Sequence, residues 1–229
     1  MIDKKPLGMV GGRVKMLLFF LLLYIFCSPF LAPYKSLNVI AHGLLSIVLV
    51  AAGYAVWNNQ EKRSFVLLLL PLVLILYWLG IYDVIDFSRQ VSYLLFTLFY
   101  GLLVYSFVSQ IARVTNITAD VLAAALCLYL IIGLFWGALY TLMYELIPGS
   151  YAGVLLDNVG IYNLHVFNYF SFVTLTTLGY GDITPHHPGA ASLCQMEAII
   201  GQFFTAVVVA WLVGNFVADR NAGDSSAED

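Results

Sequence analysis

The sequence predicts an all-α membrane protein with six transmembrane helices. Hydrophobic residues make up 62% of its 229 residues and charged residues only 10%, and the mean hydropathy is +0.90. This composition is typical of membrane proteins and excludes an ordinary soluble domain. The formal net charge of −3 and the lack of a basic stretch give no sign of a nucleic-acid partner.

The six spans follow from the rule that about twenty apolar residues cross a bilayer as a helix. They are predicted at 14–32, 36–57, 64–82, 91–112, 119–147 and 189–218. The first could instead be a signal peptide, because basic residues precede its leucine-rich core. Its length and the lack of a small-residue cleavage site near Ser28 and Pro29 favour a retained span.

The distribution of basic residues predicts the orientation. Eight of the ten Lys and Arg residues flank the spans on one side, and only Lys35 and Arg89 lie on the other. The positive-inside rule makes the first side cytoplasmic. Both termini, including Arg220 beyond the last span, are therefore expected in the cytoplasm of a multi-pass plasma-membrane protein. The short loops suggest a bacterial cell membrane.

The most informative stretch lies between the fifth and sixth spans, where residues 174–182 read TLTTLGYGD. An ion path made of backbone carbonyls needs alternate residues with φ above zero, which glycine adopts at little steric cost. Gly179 and Gly181 occupy such alternate positions. An ordinary turn is the alternative interpretation of Gly-Tyr-Gly-Asp.

This stretch closely resembles the selectivity filter of potassium channels, whose signature is T-x-T-T followed by x-G-Y-G-D; Leu178 stands where Val is commoner. The resemblance implies that K⁺, the permeant ion, binds the backbone carbonyls of Thr177, Leu178, Gly179 and Tyr180, with Gly181 completing the filter. The Tyr180 side chain would point away from the axis and brace the filter against the pore helix. One chain supplies a quarter of the ligands, so the resemblance implies a homotetramer in the lipid bilayer, without a cofactor.

The residues around the filter are assigned supporting roles by the same resemblance. Thr174 and Thr176 end the pore helix, and Asp182 lies behind the outer mouth. Some bacterial channels place a pore-helix glutamate beside this aspartate, but Val173 occupies that position here. Tyr169 is therefore the expected partner of Asp182.

The helix before the filter is predicted over residues 168–176. At 1.5 Å per residue it is about 14 Å long, too short to cross a bilayer, and it must be re-entrant. The predicted fold thus has a re-entrant pore helix and selectivity filter between spans five and six.

The chain divides into five predicted parts. They are a cytoplasmic N-terminus at 1–13, a four-helix transmembrane module at 14–112, a linker at 113–118, a pore domain at 119–218 and a short cytoplasmic tail at 219–229. The module has the layout of a voltage sensor, which needs several basic residues at every third position of its fourth span. No Arg or Lys occurs between Gln90 and Ala112, so steep voltage gating is not expected.

Two glycines of the sixth span are candidates for a gating hinge. Gly201 follows Asp182 by nineteen residues, close to where related channels carry a hinge glycine, and Gly214 is a second candidate nearer the cytoplasm. Close packing against another helix explains Gly201 equally well.

Three ionisable residues are candidate modulators. Glu197 is the only charge in the sixth span. It is expected to hydrogen-bond behind the filter, to a pore-helix threonine or to Gln195 or Gln202 of a neighbouring chain; the alternative is a role in the cavity. His186 and His187 follow the filter and either add charge to the outer mouth on protonation or are ordinary solvated histidines.

Other functions remain as alternatives to a potassium channel. They are a weakly selective cation channel, a subunit associated with transport, and a non-conducting membrane subunit. An enzyme is not expected, because the sequence has no nucleophile–base pair, metal-ligand cluster or phosphate loop. Cys27, Cys127 and Cys194 lie within or beside apolar segments and are expected to be free, buried thiols.

Overall fold

The computed structural model describes residues 11–32, 34–56, 60–81, 88–114, 118–157, 163–211 and 213–214. Its helices are α1 (Gly11–Leu31), α2 (Lys35–Val56), α3 (Gln60–Ile81), α4 (Ser88–Ile111), α5 (Ala119–Leu146), α6 (Val154–Asp157), α7 (Leu164–Leu175) and α8 (Pro188–Phe203). A π-helical segment, Phe204–Val209, continues α8. The strands β1 (Tyr151–Ala152) and β2 (Thr184–Pro185) pair antiparallel.

Several predicted features lie outside the described residues. They are most of the N-terminal segment 1–13, residues 115–117 of the linker, the end of the sixth span at 215–218, Arg220 and the tail at 219–229.

Five helices of the described chain are long and apolar enough to cross a membrane. They are α1, α2, α4, α5 and α8 with its π-helical continuation, which correspond to predicted spans one, two, four, five and six. The predicted third span, 64–82, falls on α3, whose described apolar part is the shorter stretch Leu68–Gly80. The helix begins with the polar sequence QEKR at residues 60–63 and continues with an apolar sequence to Ile81.

The first four helices pack on one another and on α5. The α1 helix contacts α2, α3 contacts α4, and both α1 and α4 lie along α5. A 2.8 Å ion pair joins Lys15 Nζ near the start of α1 to Asp120 Oδ1 near the start of α5. Since Tyr24, farther along α1, accepts a hydrogen bond from Asn168 of α7, the first four helices contact both α5 and α7 of the same chain.

Two glycines on α5 allow α7 to approach closely. A Cβ added at Gly133 would overlap the Phe172 ring, and one added at Gly137 would overlap the Asn168 side chain. Small residues are favoured at helix interfaces in membranes for this reason. The α7 helix is thereby held between α5, α1 and α8.

The described cysteines are free, as expected from the sequence, but the expectation that all three are buried is wrong for Cys27 and Cys194. Cys127 is buried and its thiol lies 3.5 Å from the Val14 carbonyl oxygen, between α5 and α1. Cys27 and Cys194 are partly exposed.

Candidate ion-conduction site

The short helix α7 ends at the beginning of the TLTTLGYGD stretch. It spans twelve residues, Leu164–Leu175, and therefore starts earlier than the predicted 168–176. Its length of about 18 Å still falls well short of a bilayer's apolar thickness. The hydroxyls of Thr174 and Thr176 donate to carbonyls of their own helix, at Phe170 (2.9 Å) and Phe172 (2.6 Å). Both threonine hydroxyls thus hydrogen-bond to backbone carbonyls near the C-terminal end of α7.

The backbone after α7 alternates in conformation. Thr177, Gly179 and Gly181 have φ values of 58°, 60° and 75°, whereas Leu178 and Tyr180 between them do not have positive φ. The left-handed region costs an L-residue roughly 1–2 kcal/mol, so Thr177 carries strain that the two glycines avoid. Positive φ was expected from the sequence at Gly179 and Gly181 but not at Thr177.

The first amides of this segment point back toward α7. The amides of Leu178 and Gly179 donate to the Val173 carbonyl at 2.9 and 3.4 Å, and the Thr177 amide donates to the Thr174 carbonyl at 2.9 Å. In the part of the chain that the structure describes, the carbonyls of residues 177–181 accept no hydrogen bond. Free backbone carbonyls must be satisfied by water or by a cation.

Two large side chains of this segment have little contact within their own chain. Leu178 is 56% exposed and Tyr180 is 66% exposed. The Tyr180 side chain nevertheless lies within electrostatic range of Tyr169 of α7. On the side toward α8, the Gln202 amide donates to the Thr177 hydroxyl at 3.1 Å.

Asp182 ends the segment and is held by two donors. The Tyr169 hydroxyl donates to Asp182 Oδ2 at 2.6 Å, which is the pairing expected from the sequence. The Ile183 amide donates to Asp182 Oδ1 at 3.1 Å. Immediately afterwards β2 pairs with β1, and the His186 amide donates to the Ser150 carbonyl at 2.8 Å.

Tyr151 of β1 anchors this outer loop. Its ring packs against the rings of Tyr140, Phe167 and Phe170 with centroid separations of 5.3–5.7 Å. Burial raises the pKa of the Tyr151 hydroxyl far above its ordinary value. The hydroxyl is therefore neutral at physiological pH.

Glu197 is fully buried where three helices meet. Its Oε1 lies 2.5 Å from the Ser171 hydroxyl of α7, and its Oε2 accepts from the Tyr140 hydroxyl of α5. The expectation of a hydrogen bond behind the filter is met, but the partners are a serine and a tyrosine instead of a threonine or glutamine. Sequence reasoning missed both partners, because an isolated hydroxyl in an apolar helix has no distinguishing signal.

The hinge candidates have different surroundings. Gly201 is buried, and an added Cβ would overlap the Leu175 carbonyl oxygen at the end of α7. This contact favours the packing explanation for Gly201. Around Gly214 no described atom lies within 4 Å of an added Cβ. The π-helical segment Phe204–Val209 lies between them.

His186 and His187, which follow the TLTTLGYGD stretch, are both exposed. His187 precedes α8, and its Nδ1 accepts from the Gly189 amide at 3.1 Å. His187 thus serves as the N-cap of the inner helix, a role the sequence did not suggest.

The four-helix module meets α7 at a polar boundary. Asn168 Nδ2 donates to the Tyr24 hydroxyl at 3.0 Å. Beside this bond lies a cavity of about 150 Å³, whose lining includes Ser28, His165 and Tyr169. In the neighbouring part of the module, His42 Nδ1 is hydrogen-bonded to the Tyr77 hydroxyl. Tyr169 therefore lines the cavity next to α1 and also donates a hydrogen bond to Asp182.

Two membrane-length helices that flank a short helix and a segment with free carbonyls define the class: a membrane protein with a candidate pore loop. Residues 124–218 match a family model described as ion channel. This match covers most of α5, all of α7, the TLTTLGYGD stretch and α8, and it supports an ion channel and not an enzyme. A comparison with curated proteins found no match, and neither did a comparison with solved structures.

Proposed function

We propose that this chain is one subunit of a homotetrameric, potassium-selective channel that conducts K⁺ passively through the plasma membrane. The carbonyls of Thr177, Leu178, Gly179 and Tyr180 would bind the dehydrated ion, with the Thr177 hydroxyl at the innermost site. Gly181 would let the chain continue in the same alternating conformation.

The observation that carries the proposal is the backbone of residues 177–181. Alternating φ signs turn successive carbonyls of an extended chain toward the same side. The amides of residues 177–179 are occupied by α7, while the carbonyls of residues 177–181 accept no described hydrogen bond. Such a row of oxygens can replace the hydration shell of a cation.

The surface of α8 supports assembly from several copies. Large apolar side chains are exposed along this helix and its continuation: Met196, Ile199, Ile200, Phe203, Val207 and Val213. A fourfold assembly around the filter would bury apolar surface and supply the remaining ligands.

The positions of α1 and α5 support six crossings. The Lys15–Asp120 pair brings the starts of these helices together, and Tyr24 meets Asn168 farther along. Two adjacent helices that start on the same side require an even number of crossings between those starts. Four helices, α1 to α4, lie between the two starts. The number of crossings is even only if α3 crosses the membrane together with α1, α2 and α4.

Gating by steep voltage dependence is not part of the proposal. The α4 helix has Arg89 at its beginning and no other Arg or Lys. Moving one elementary charge across the membrane field contributes about 2.3 kcal/mol per 100 mV, so a helix without a row of such charges responds weakly. The proposed role of the first four helices is to pack around the pore half of the chain.

The test is the reversal potential of the purified full-length protein in planar bilayers under a K⁺/Na⁺ gradient. A potential near the K⁺ equilibrium value is expected for the wild type and its loss for Gly179→Ala. Gly149→Ala is the matched control, because Gly149 also has positive φ, at 80°, and open space for a Cβ, but lies outside the filter. It should retain the wild-type potential.

Other outcomes would decide against the proposal. A reversal potential near zero would indicate a weakly selective cation channel. Absence of current from protein that forms stable tetramers, over a range of voltage and pH, would favour a non-conducting or transport-associated subunit.

A further inference from the structure

We propose that Glu197 is a neutral, protonated carboxylic acid that joins α8 to both α5 and α7 and so positions the inner helix behind the filter. Its role in the pore rests on the proposed channel function. Its protonation and its contacts between helices do not.

The first argument concerns the surroundings of the carboxyl group. Glu197 is 0% exposed and lies within a membrane-length helix. The helices α5, α7 and α8 around it contain no Lys or Arg, and its described hydrogen-bond partners are the uncharged hydroxyls of Ser171 and Tyr140. A buried carboxylate without a counterion costs several kcal/mol, and the group avoids this cost by binding a proton.

The second argument counts hydrogens. The Ser171 hydroxyl lies 2.7 Å from the Gly133 carbonyl oxygen and 2.5 Å from Glu197 Oε1. The carbonyl can only accept, and the hydroxyl has one hydrogen. If Ser171 donates to Gly133, its contact with Glu197 is a hydrogen bond only when Glu197 supplies the hydrogen. A protonated Glu197 satisfies both contacts, whereas a carboxylate leaves one of them unmade.

The remaining titratable neighbours fit a neutral acid. Tyr140 donates to Glu197 Oε2, and Tyr129, Tyr151 and Cys194 lie near the same carboxyl group. These are hydroxyls and a thiol, which are uncharged in an apolar environment. They surround Glu197 from α5, from β1 and from α8 itself without contributing a positive charge.

The location gives the acid a positioning role. Glu197 connects α8 to the middle of α7 through Ser171 and to α5 through Tyr140. One helical turn later, Gly201 packs on the Leu175 carbonyl at the end of α7. These two successive contacts determine how far the inner helix lies from Thr177, whose hydroxyl accepts from Gln202.

Infrared difference spectroscopy of the purified full-length protein at neutral pH tests the protonation directly. The wild type should show the C=O stretching band of a protonated carboxylic acid, and Glu197→Gln should lose that band. Glu145→Gln is the matched control, since Glu145 is a partly exposed carboxylate near the end of α5, and its substitution should leave the band unchanged. An identical band in wild type and Glu197→Gln would overturn the proposal.

Rescue by the neutral amide tests the positioning role. A glutamine can accept from Tyr140 through its oxygen and donate to Ser171 through its nitrogen, so Glu197→Gln should retain most of the thermal stability of the assembled protein. Glu197→Ala should lower the melting temperature by several degrees. Equal destabilisation by Gln and Ala would show that the carboxylate charge is needed and would refute the neutral acid. Both tests use stability and spectra, so they remain decisive if the reversal potential excludes a potassium channel.

Discussion

The Tyr169 hydroxyl donates to Asp182 Oδ2 at 2.6 Å, and this bond connects α7 directly to the end of the segment that follows it. The two residues are thirteen positions apart, and the whole TLTTLGYGD stretch lies within the loop they close. An intramolecular hydrogen bond of this kind contributes about 0.5–1.5 kcal/mol. This bond is therefore a direct restraint on the proposed filter.

Removing this donor should shorten the lifetime of the conducting state. We expect Tyr169→Phe to accelerate the decay of K⁺ current at constant voltage by roughly tenfold, the factor that corresponds to about 1.4 kcal/mol. Tyr34→Phe is the control, because Tyr34 is 63% exposed and far from the loop in sequence. Equal decay in wild type and Tyr169→Phe would show that the bond does not support the filter.

A methyl group at Gly201 should destabilise the contact between α8 and α7. It would overlap the Leu175 carbonyl, and overpacking of this kind typically costs about 1–3 kcal/mol. Gly201→Ala should therefore lower the melting temperature of the assembled protein in detergent, whereas Gly214→Ala should not. If Gly201→Ala keeps wild-type stability but changes the open probability, the hinge explanation of Gly201 would be preferred.

His187 should stabilise the start of α8 through its side-chain acceptor. Replacing it with alanine leaves the Gly189 amide without its partner, and the loss of an N-cap costs about 0.5–2 kcal/mol. His187→Asn retains a capping oxygen and should recover most of the thermal stability lost in His187→Ala. His186→Ala serves as the comparison, and an equal effect at both histidines would argue against the capping role.

The Tyr24 hydroxyl should couple the four-helix module to α7. Tyr24→Phe leaves the buried Asn168 amide without its acceptor, which costs roughly 1–3 kcal/mol. We expect a lower melting temperature together with altered channel open probability. Tyr54→Phe keeps an aromatic ring for the Arg13 guanidinium above it and should behave like the wild type. Unchanged open probability in a destabilised Tyr24→Phe would indicate packing without coupling.

Much of the site was predictable because its constraints are local. Glycine adopts positive φ at little steric cost, so Gly179 and Gly181 indicated this backbone conformation in the sequence. The partner of Asp182 was also predictable, since Val173 removes the usual candidate and Tyr169 lies one turn earlier on the same helix. The left-handed conformation of Thr177 was not predictable, because the sequence does not distinguish a threonine in a strained backbone conformation from one in a relaxed conformation.

Hydropathy predicted six spans from the sequence. Five of the corresponding helices are long and apolar enough to cross a membrane, and the described apolar part of α3 is the shorter stretch Leu68–Gly80. The adjacency of Lys15 and Asp120, which argues for an even number of crossings between α1 and α5, is a contact across 105 positions of sequence.

By itself, the sequence determined the membrane class, the apolar helices and the glycine pattern of the pore loop, because these depend on composition and on local backbone sterics. Only the tertiary structure decided that Glu197 meets Ser171 and Tyr140, that Gly201 packs on Leu175, and that Tyr24 reaches Asn168. Each of these contacts joins helices that are distant along the chain, and any of several residues in an apolar helix could have faced the partner. The packing of the helices decides which face of each helix meets its partner, and the periodicity of the sequence does not contain that information.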